Sequence, residues 1–140
     1  MTLTQRLCLL VIITVLASCK ADAQTNGFHW NVRQAGAAAD GQADCTAVFQ
    51  KLLDEAGKAG GGVGEVPAGR YRINTGLSIP ANVTLAGIYR VPPTLHLKPA
   101  GIPTGSVLLA YAGRGATNGP PFIRLAGDNA AIAGLVITYP

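Results

Sequence analysis

The stretch Gly60-Gly61-Gly62-Val63-Gly64-Glu65-Val66-Pro67-Ala68-Gly69-Arg70-Tyr71-Arg72-Ile73 decides how this chain is read. Three glycines and a Pro-Ala-Gly turn bracket two short segments rich in Val, Ile and Tyr. Glycine and proline at this density break helices. The segments therefore read as strands of a few residues joined by tight turns. The same grammar continues downstream in Leu77-Ser78-Ile79, Val83-Thr84-Leu85, Leu95-His96-Leu97 and Val107-Leu108-Leu109. It closes with Phe122-Ile123-Arg124-Leu125 and Ile132-Ala133-Gly134-Leu135-Val136-Ile137.

Upstream the period changes. Val48, Phe49, Leu52, Leu53 and Ala56 recur at three- and four-residue spacing, which predicts one amphipathic helix over Asp44–Ala59. Asp44 is the expected N-cap, its carboxylate accepting a free amide of the first turn. Gly57 or Gly60 is expected to end the helix in the left-handed conformation. Asn31–Ala43 is rich in Gly and Ala and reads as a strand end followed by loop.

Composition agrees with a turn-rich, mostly β chain. Of 140 residues, 18 are Gly and 9 Pro, while only 13% are charged against 49% hydrophobic. A disordered chain would be apolar-poor and charge-rich instead. Nine basic and six acidic residues follow Ala23, without Lys/Arg runs, so no nucleic-acid partner is expected.

Residues 1–23 read as an export signal. Arg6 precedes the apolar run Leu7–Ala17, which is too short for a membrane span of ~20 residues and fits a signal core of ~7–15. Two cleavage sites compete. Leu16-Ala17-Ser18-Cys19 is similar to a lipobox, which would place a lipid on Cys19 and anchor the protein to a membrane. Ala21-Asp22-Ala23 suits ordinary cleavage before Gln24, giving a free protein that is secreted or periplasmic. Residues 24–30 are expected to form a flexible arm, and 31–140 the folded domain. Cys45 is the one cysteine in that domain, so stability must come from packing; a half-buried place at the helix start is expected for it.

Small strands with frequent turns suit a solenoid of stacked coils, and also an antiparallel sandwich. A family resemblance separates the two. The pieces Gly36-Ala37, Asp40-Gly41, Asp44 and Thr46, then the helix, Gly60-Gly61-Gly62 and Val66-Pro67-Ala68-Gly69-Arg70-Tyr71, stand in one order. Ile79-Pro80-Ala81-Asn82-Val83-Thr84-Leu85-Ala86-Gly87 and Asn129–Ile137 follow as further coils. This set resembles the opening of the rhamnogalacturonase/epimerase-like pectate lyase domain. Ala35, Ala39 and Cys45 depart from that family's pattern.

The resemblance implies an all-β solenoid: a right-handed parallel β-helix with an N-terminal capping α-helix, C-terminally truncated. The helix would lie across the open first coil and cover its backbone edge and apolar interior. Pro67 and Pro80 would sit at strand ends, where no ladder amide is lost.

Several tempting sites reduce to structure. Gly57–Gly62 follows a helix and leads into a strand, the reverse of a phosphate loop. Asp40-Gly41-Gln42-Ala43-Asp44 lacks the oxygen count of a calcium loop and reads as a turn plus a cap. His29 and His96 have no companions at metal-ligand spacing. No metal and no cofactor are therefore expected. Asn82-Val83-Thr84 matches a glycosylation sequon by chance.

Glycoside hydrolysis needs two carboxylates ~5–9.5 Å apart across the sugar. From Gly60 onward only Glu65 and Asp128 are acidic, and they should lie several coils apart; Asp54 and Glu55 belong to the helix. No catalytic residue is assigned. Six basic residues over the same span, Arg70, Arg72, Arg90, Lys98, Arg114 and Arg124, suit a polyanionic glycan such as a polyuronate.

The expectation is thus the N-terminal part of an exported β-helix protein whose parent cleaves polysaccharide by hydrolysis or elimination, the chain alone being inactive. Two alternatives stand beside it. One is a non-catalytic β-helix surface, adhesion or glycan-binding protein. The other is a small lipoprotein of different β fold.

Overall fold

The computed structural model describes residues 28–89, 105–113, 115–116 and 118–140. In chain order the elements are β1 (His29–Asn31), β2 (Asp40–Asp44), α1 (Thr46–Lys58), β3 (Gly62–Val66), β4 (Gly69–Ile73), β5 (Leu77–Ile79), β6 (Val83–Gly87), β7 (Ser106–Ala110), β8 (Ile123–Leu125), β9 (Ala131–Ala133) and β10 (Leu135–Thr138).

Every strand pair is parallel, and each strand stacks on one from the neighbouring coil. The first sheet runs β1-β3-β6-β9, the second β10-β7-β4-β2, and β5 pairs with β8 in a third. One coil is therefore β3-β4-β5, the next β6-β7-β8, and the last begins with β9-β10. This is a three-faced parallel β-helix, and the antiparallel sandwich is excluded.

Alternation along the strands builds the core. In β4, Tyr71 and Ile73 are fully buried while Arg70 and Arg72 take the outer face. The register stacks Gly64 on Leu85 and Ile132, and Tyr71 on Leu108 and Ile137. At the far end these ladders meet water. Leu125, Ile132 and Ile137 lie in edge strands that no further described strand covers, and they are exposed.

Gly134 forms the corner between β9 and β10. Its φ of +64° turns the chain within one residue, and a Cβ there would strike the Gly87 carbonyl. Asn82 and Asn129 precede β6 and β9 in equivalent left-handed positions, φ 59° and 57°. The Asn129 amide donates to Asn82 Oδ1 at 3.0 Å, stacking the two turns.

α1 closes the N-terminal end. Phe49, Leu52, Leu53 and Ala56 are buried, and Phe49 meets the Tyr71 ring edge-on at 5.4 Å. Burying Phe49, Leu52 and Leu53 contributes about 1.5–3 kcal/mol each. A Schellman motif ends the helix, with the Gly61 amide on Ala56 O at 2.9 Å and the Gly60 amide on Gly57 O at 3.1 Å. Gly60 takes φ +93°, so it, and not Gly57, supplies the left-handed residue.

The helix also completes the sheet edge. β1 and β2 already cover the edges of β3 and β4, so the helix is not the whole lid. It covers the remaining edge, that of β5. The Gln50 side-chain amide accepts from the Ser78 amide at 3.0 Å and donates to Ser78 O at 3.1 Å, as a neighbouring strand residue would. The Thr46 hydroxyl accepts from the Asn74 amide at 2.8 Å.

Three local expectations change. Residues 40–44 form strand β2 where loop was expected, because Asp40 and Asp44 register against Arg70 and Arg72 of β4. His29 and Trp30, expected in the arm, belong to β1 and pair with β3. Asp44 is the last strand residue and stands one place before the N-cap, yet its Oδ1 accepts from the Thr46 amide of the first turn at 2.9 Å, the contact expected of it. The N-cap is Cys45, whose side chain makes no capping bond. Its thiol turns inward, 1% exposed and not half-buried, and donates to Ala38 O at 3.2 Å.

Candidate functional site

The surface with the richest chemistry is the outer face of the β10-β7-β4-β2 sheet. Tyr71 and Ile73 point into the core, so the pleat sends Arg70 and Arg72 outward, side by side. Arg70 stacks on Val107 and Arg72 on Leu109 of the next coil. Val107, Leu109 and Val136 form a second apolar cluster on this outer face, with Tyr111 packed against it.

The carboxylates opposite the two arginines are occupied by groups of their own chain segment. Asp40 Oδ1 accepts from the amides of Gln42 at 2.8 Å and Ala43 at 3.2 Å, which hold the carboxyl below its usual range. Partial burial pushes the Asp44 carboxyl up, but hydrogen bonds from the Thr46 hydroxyl and amide outweigh this and hold it low. Among the described residues the close contacts between basic and acidic side chains are His29–Glu65 at 3.4 Å and Lys51–Glu55 at 3.9 Å. Neither Arg70 nor Arg72 is in them.

Arg72 is held in place by neutral groups. Its guanidinium lies over the Tyr111 ring, 4.4 Å from the centroid, and Nε donates to Asn74 Oδ1 at 2.9 Å. The Tyr111 amide, bonded to Ile73 O at 2.9 Å, sets that ring beside β4. An arginine fixed this way keeps N–H donors for an anion in the fork geometry that matches a carboxylate.

A concavity of about 490 Å³ lies between α1 and the turn after β1. Trp30, Val48 and Leu52 line it, with Lys51 and Glu55 among its polar groups. Deep in the cap, burial pushes the Cys45 thiol pKa up, which makes it a poor nucleophile.

The residues singled out from the sequence separate into groups. Arg70 and Arg72 share one face, while Arg124 lies on β8 of another sheet, so the basic residues do not make one patch. Cys19, Arg90, His96, Lys98 and Arg114 lie outside the described residues. Glu65 is in the first full coil and Asp128 precedes β9, two coils on, so they do not face each other. Asp54 and Glu55 lie on exposed helix surface, where Asp54 accepts from Gln50 at 2.8 Å. Among the described residues no group of three His, Cys, Asp or Glu could hold a metal ion. Asn74 and Tyr111 were not anticipated. Asn74, two residues after Arg72, carried a faint signal; Tyr111 carried none, being far off in sequence.

Comparison with known proteins places this geometry. The sequence model of the family described as Rhamnogalacturonase A/epimerase, pectate lyase-like, matches residues 29–127. The chain belongs to that family. Its solved relatives include the A-module of the Azotobacter vinelandii mannuronan C-5 epimerase AlgE6, with TM-score 0.59 and 28% identity over 77% of this chain. The AlgE4 A-module matches with TM-score 0.55 at 27% identity. Among curated sequences, mannuronan C5-epimerase AlgE1 of the same organism is 42% identical over 65 residues, 41% of this chain. Alginate lyase 7 is 40% identical over 66 residues, 42% of this chain. The family comprises β-helix epimerases and lyases that act on polysaccharide. The chain spans 28% of each A-module, 5% of AlgE1 and 8% of the lyase.

Proposed function

We propose that this chain forms the N-terminal cap and first coils of an exported β-helix protein that modifies a polyuronate of the alginate type. The likeness to the mannuronan epimerase A-module carries the reading, because the fold matches over 77% of the chain at 28% sequence identity. The relatives' two activities differ in outcome but share chemistry. Removing the C5 proton beside a uronate carboxylate precedes both epimerisation and eliminative cleavage. Modification by either route therefore replaces simple hydrolysis as the expected reaction of the parent.

The described residues contribute the cap and a cationic face for acidic glycan, and no base or acid is assigned among them. Taken alone, the chain is inactive. Export rests on residues 1–23, with a lipid on Cys19 if the lipobox is used and release at Gln24 otherwise.

The test reads the coding DNA past the Pro140 codon, expresses the whole product, and follows polymannuronate by proton NMR. The expected result is an in-frame continuation whose product forms guluronate or unsaturated chain ends, while the 140-residue chain forms neither. A whole product inert on polymannuronate overturns the substrate, and turnover by the 140-residue chain overturns its assigned role. Intact mass after membrane extraction decides the lipid.

A further inference from the structure

The link between the capping helix and the cationic face is a chain of short polar contacts. Asp44 accepts from the Thr46 hydroxyl; that hydroxyl accepts from the Asn74 amide at 2.8 Å; Asn74 Oδ1 accepts from Arg72 Nε at 2.9 Å. Arg72 then stacks on Tyr111 at 4.4 Å. Four residues from three stretches of chain thereby fix one guanidinium.

We infer that Arg72 is a carboxylate-recognising residue for an acidic sugar unit, and that Thr46 and Asn74 are its positioning residues. This rests on the polyuronate reading and assigns residues to it. Arginine side chains lose rotamer freedom on binding, at an entropic cost comparable with the gain from a surface ion pair. Here that cost is met before the ligand arrives. Asn74 takes the Nε–H and Tyr111 takes one face of the guanidinium, leaving the terminal N–H groups for a ligand carboxylate. Asn74 is neutral, so the positive charge is directed and not cancelled. Its own backbone is held by Thr46 at the first position of α1. The helix thus serves recognition as well as closure.

The experiment uses the whole 140-residue chain and oligomannuronate, with neutral mannan as control, by calorimetry or affinity electrophoresis. Arg72→Ala should weaken oligomannuronate binding about tenfold and leave neutral mannan unaffected. Asn74→Ala and Thr46→Val should each weaken it about threefold, while Thr46→Ser, which keeps the hydroxyl, restores it. The salt dependence separates the roles. It should fall in Arg72→Ala, which removes a charge, and stay as in the parent for Asn74→Ala, which keeps it. Arg72→Lys keeps the charge but loses the fork, and should match Asn74→Ala. The double variant Arg72→Lys with Asn74→Ala should be no weaker than either single one, because Asn74 acts through Arg72. If Asn74→Ala does not fold, Arg72→Lys and the Thr46 pair still decide. Binding indifferent to Arg72 removes the site, even where the parent modifies polymannuronate. Binding that needs Arg72 but ignores Asn74 and Thr46, with only the melting point shifted, overturns the positioning role.

Discussion

Replacing Gln50 by alanine isolates the contribution of one side chain to closing a sheet edge. In the native fold its amide group forms two hydrogen bonds to the Ser78 backbone, 3.0 and 3.1 Å long, and a third to Asp54 at 2.8 Å. The Ser78 groups are partly buried, so water replaces the lost partners only in part. Each lost bond costs about 0.5–1.5 kcal/mol, and more where the orphaned group stays dry. The exposed bond to Asp54 adds about 0.2–0.5 kcal/mol. Alanine returns a few tenths through its higher helix propensity. The net expectation is a loss of about 2 kcal/mol, and for a domain of this size about 8 °C in Tm. Urea unfolding followed by Trp30 fluorescence and circular dichroism gives the number. Lys51→Ala, one residue along and highly exposed, is the control and should change stability by less than about 0.5 kcal/mol. A Gln50→Ala loss no larger than the control's would show that the helix covers β5 without standing in for a strand.

Further perturbations test other parts of the argument. Gly134→Ala should cost about 3 kcal/mol or more, because it combines a left-handed φ with a collision at Gly87 O; urea melts decide. Phe49→Ala should cost about 3–5 kcal/mol by opening a cavity against Tyr71, read as a lowered urea midpoint at unchanged slope. Cys45 should resist iodoacetamide in the native chain at pH 8 and react fully in urea, as read by peptide mass mapping; native labelling would contradict its burial. Asp40 and Asp44 are held below their unfolded pKa of ~3.9. Their contribution to stability is therefore present above that pH and lost as pH falls through the lower, folded values. Asp44→Asn, which keeps the acceptor but cannot titrate, should flatten the fall in stability below pH 4.

The local elements were legible because each depends on near neighbours. Phe49, Leu52, Leu53 and Ala56 share one helical face by spacing alone, and Gly60 could be read as a helix stop. The short strands around Tyr71 and Leu85 followed from apolar runs between turn residues. β2 was not legible, since Asp40-Gly41-Gln42-Ala43-Asp44 has no strand composition. It is extended because β4 offers it a parallel edge. The position of Asp44 was off by one residue for the same reason: strand pairing holds it just before the N-cap, although its carboxylate still takes the first-turn amide of Thr46.

The candidate site divides in the same way. That Arg70 and Arg72 lie on one face follows from period-two alternation about Tyr71. That Tyr111 stacks on Arg72 does not, because thirty-nine residues separate them and only the coil register makes them neighbours. Arg124 looked like part of the same basic set, yet the corners of the solenoid turn it onto another sheet.

The sequence by itself determined the short strands, the single amphipathic helix and, through an ordered set of motifs, the family. Only the tertiary structure decided which strand edge the helix covers, which arginine is braced, and that Asp40 and Asp44 bind groups of their own segment instead of the arginines opposite. The reason is physical. Periodicity and turn chemistry act over a few residues, whereas coil stacking sets contacts between residues one full turn apart, and that distance varies with every loop.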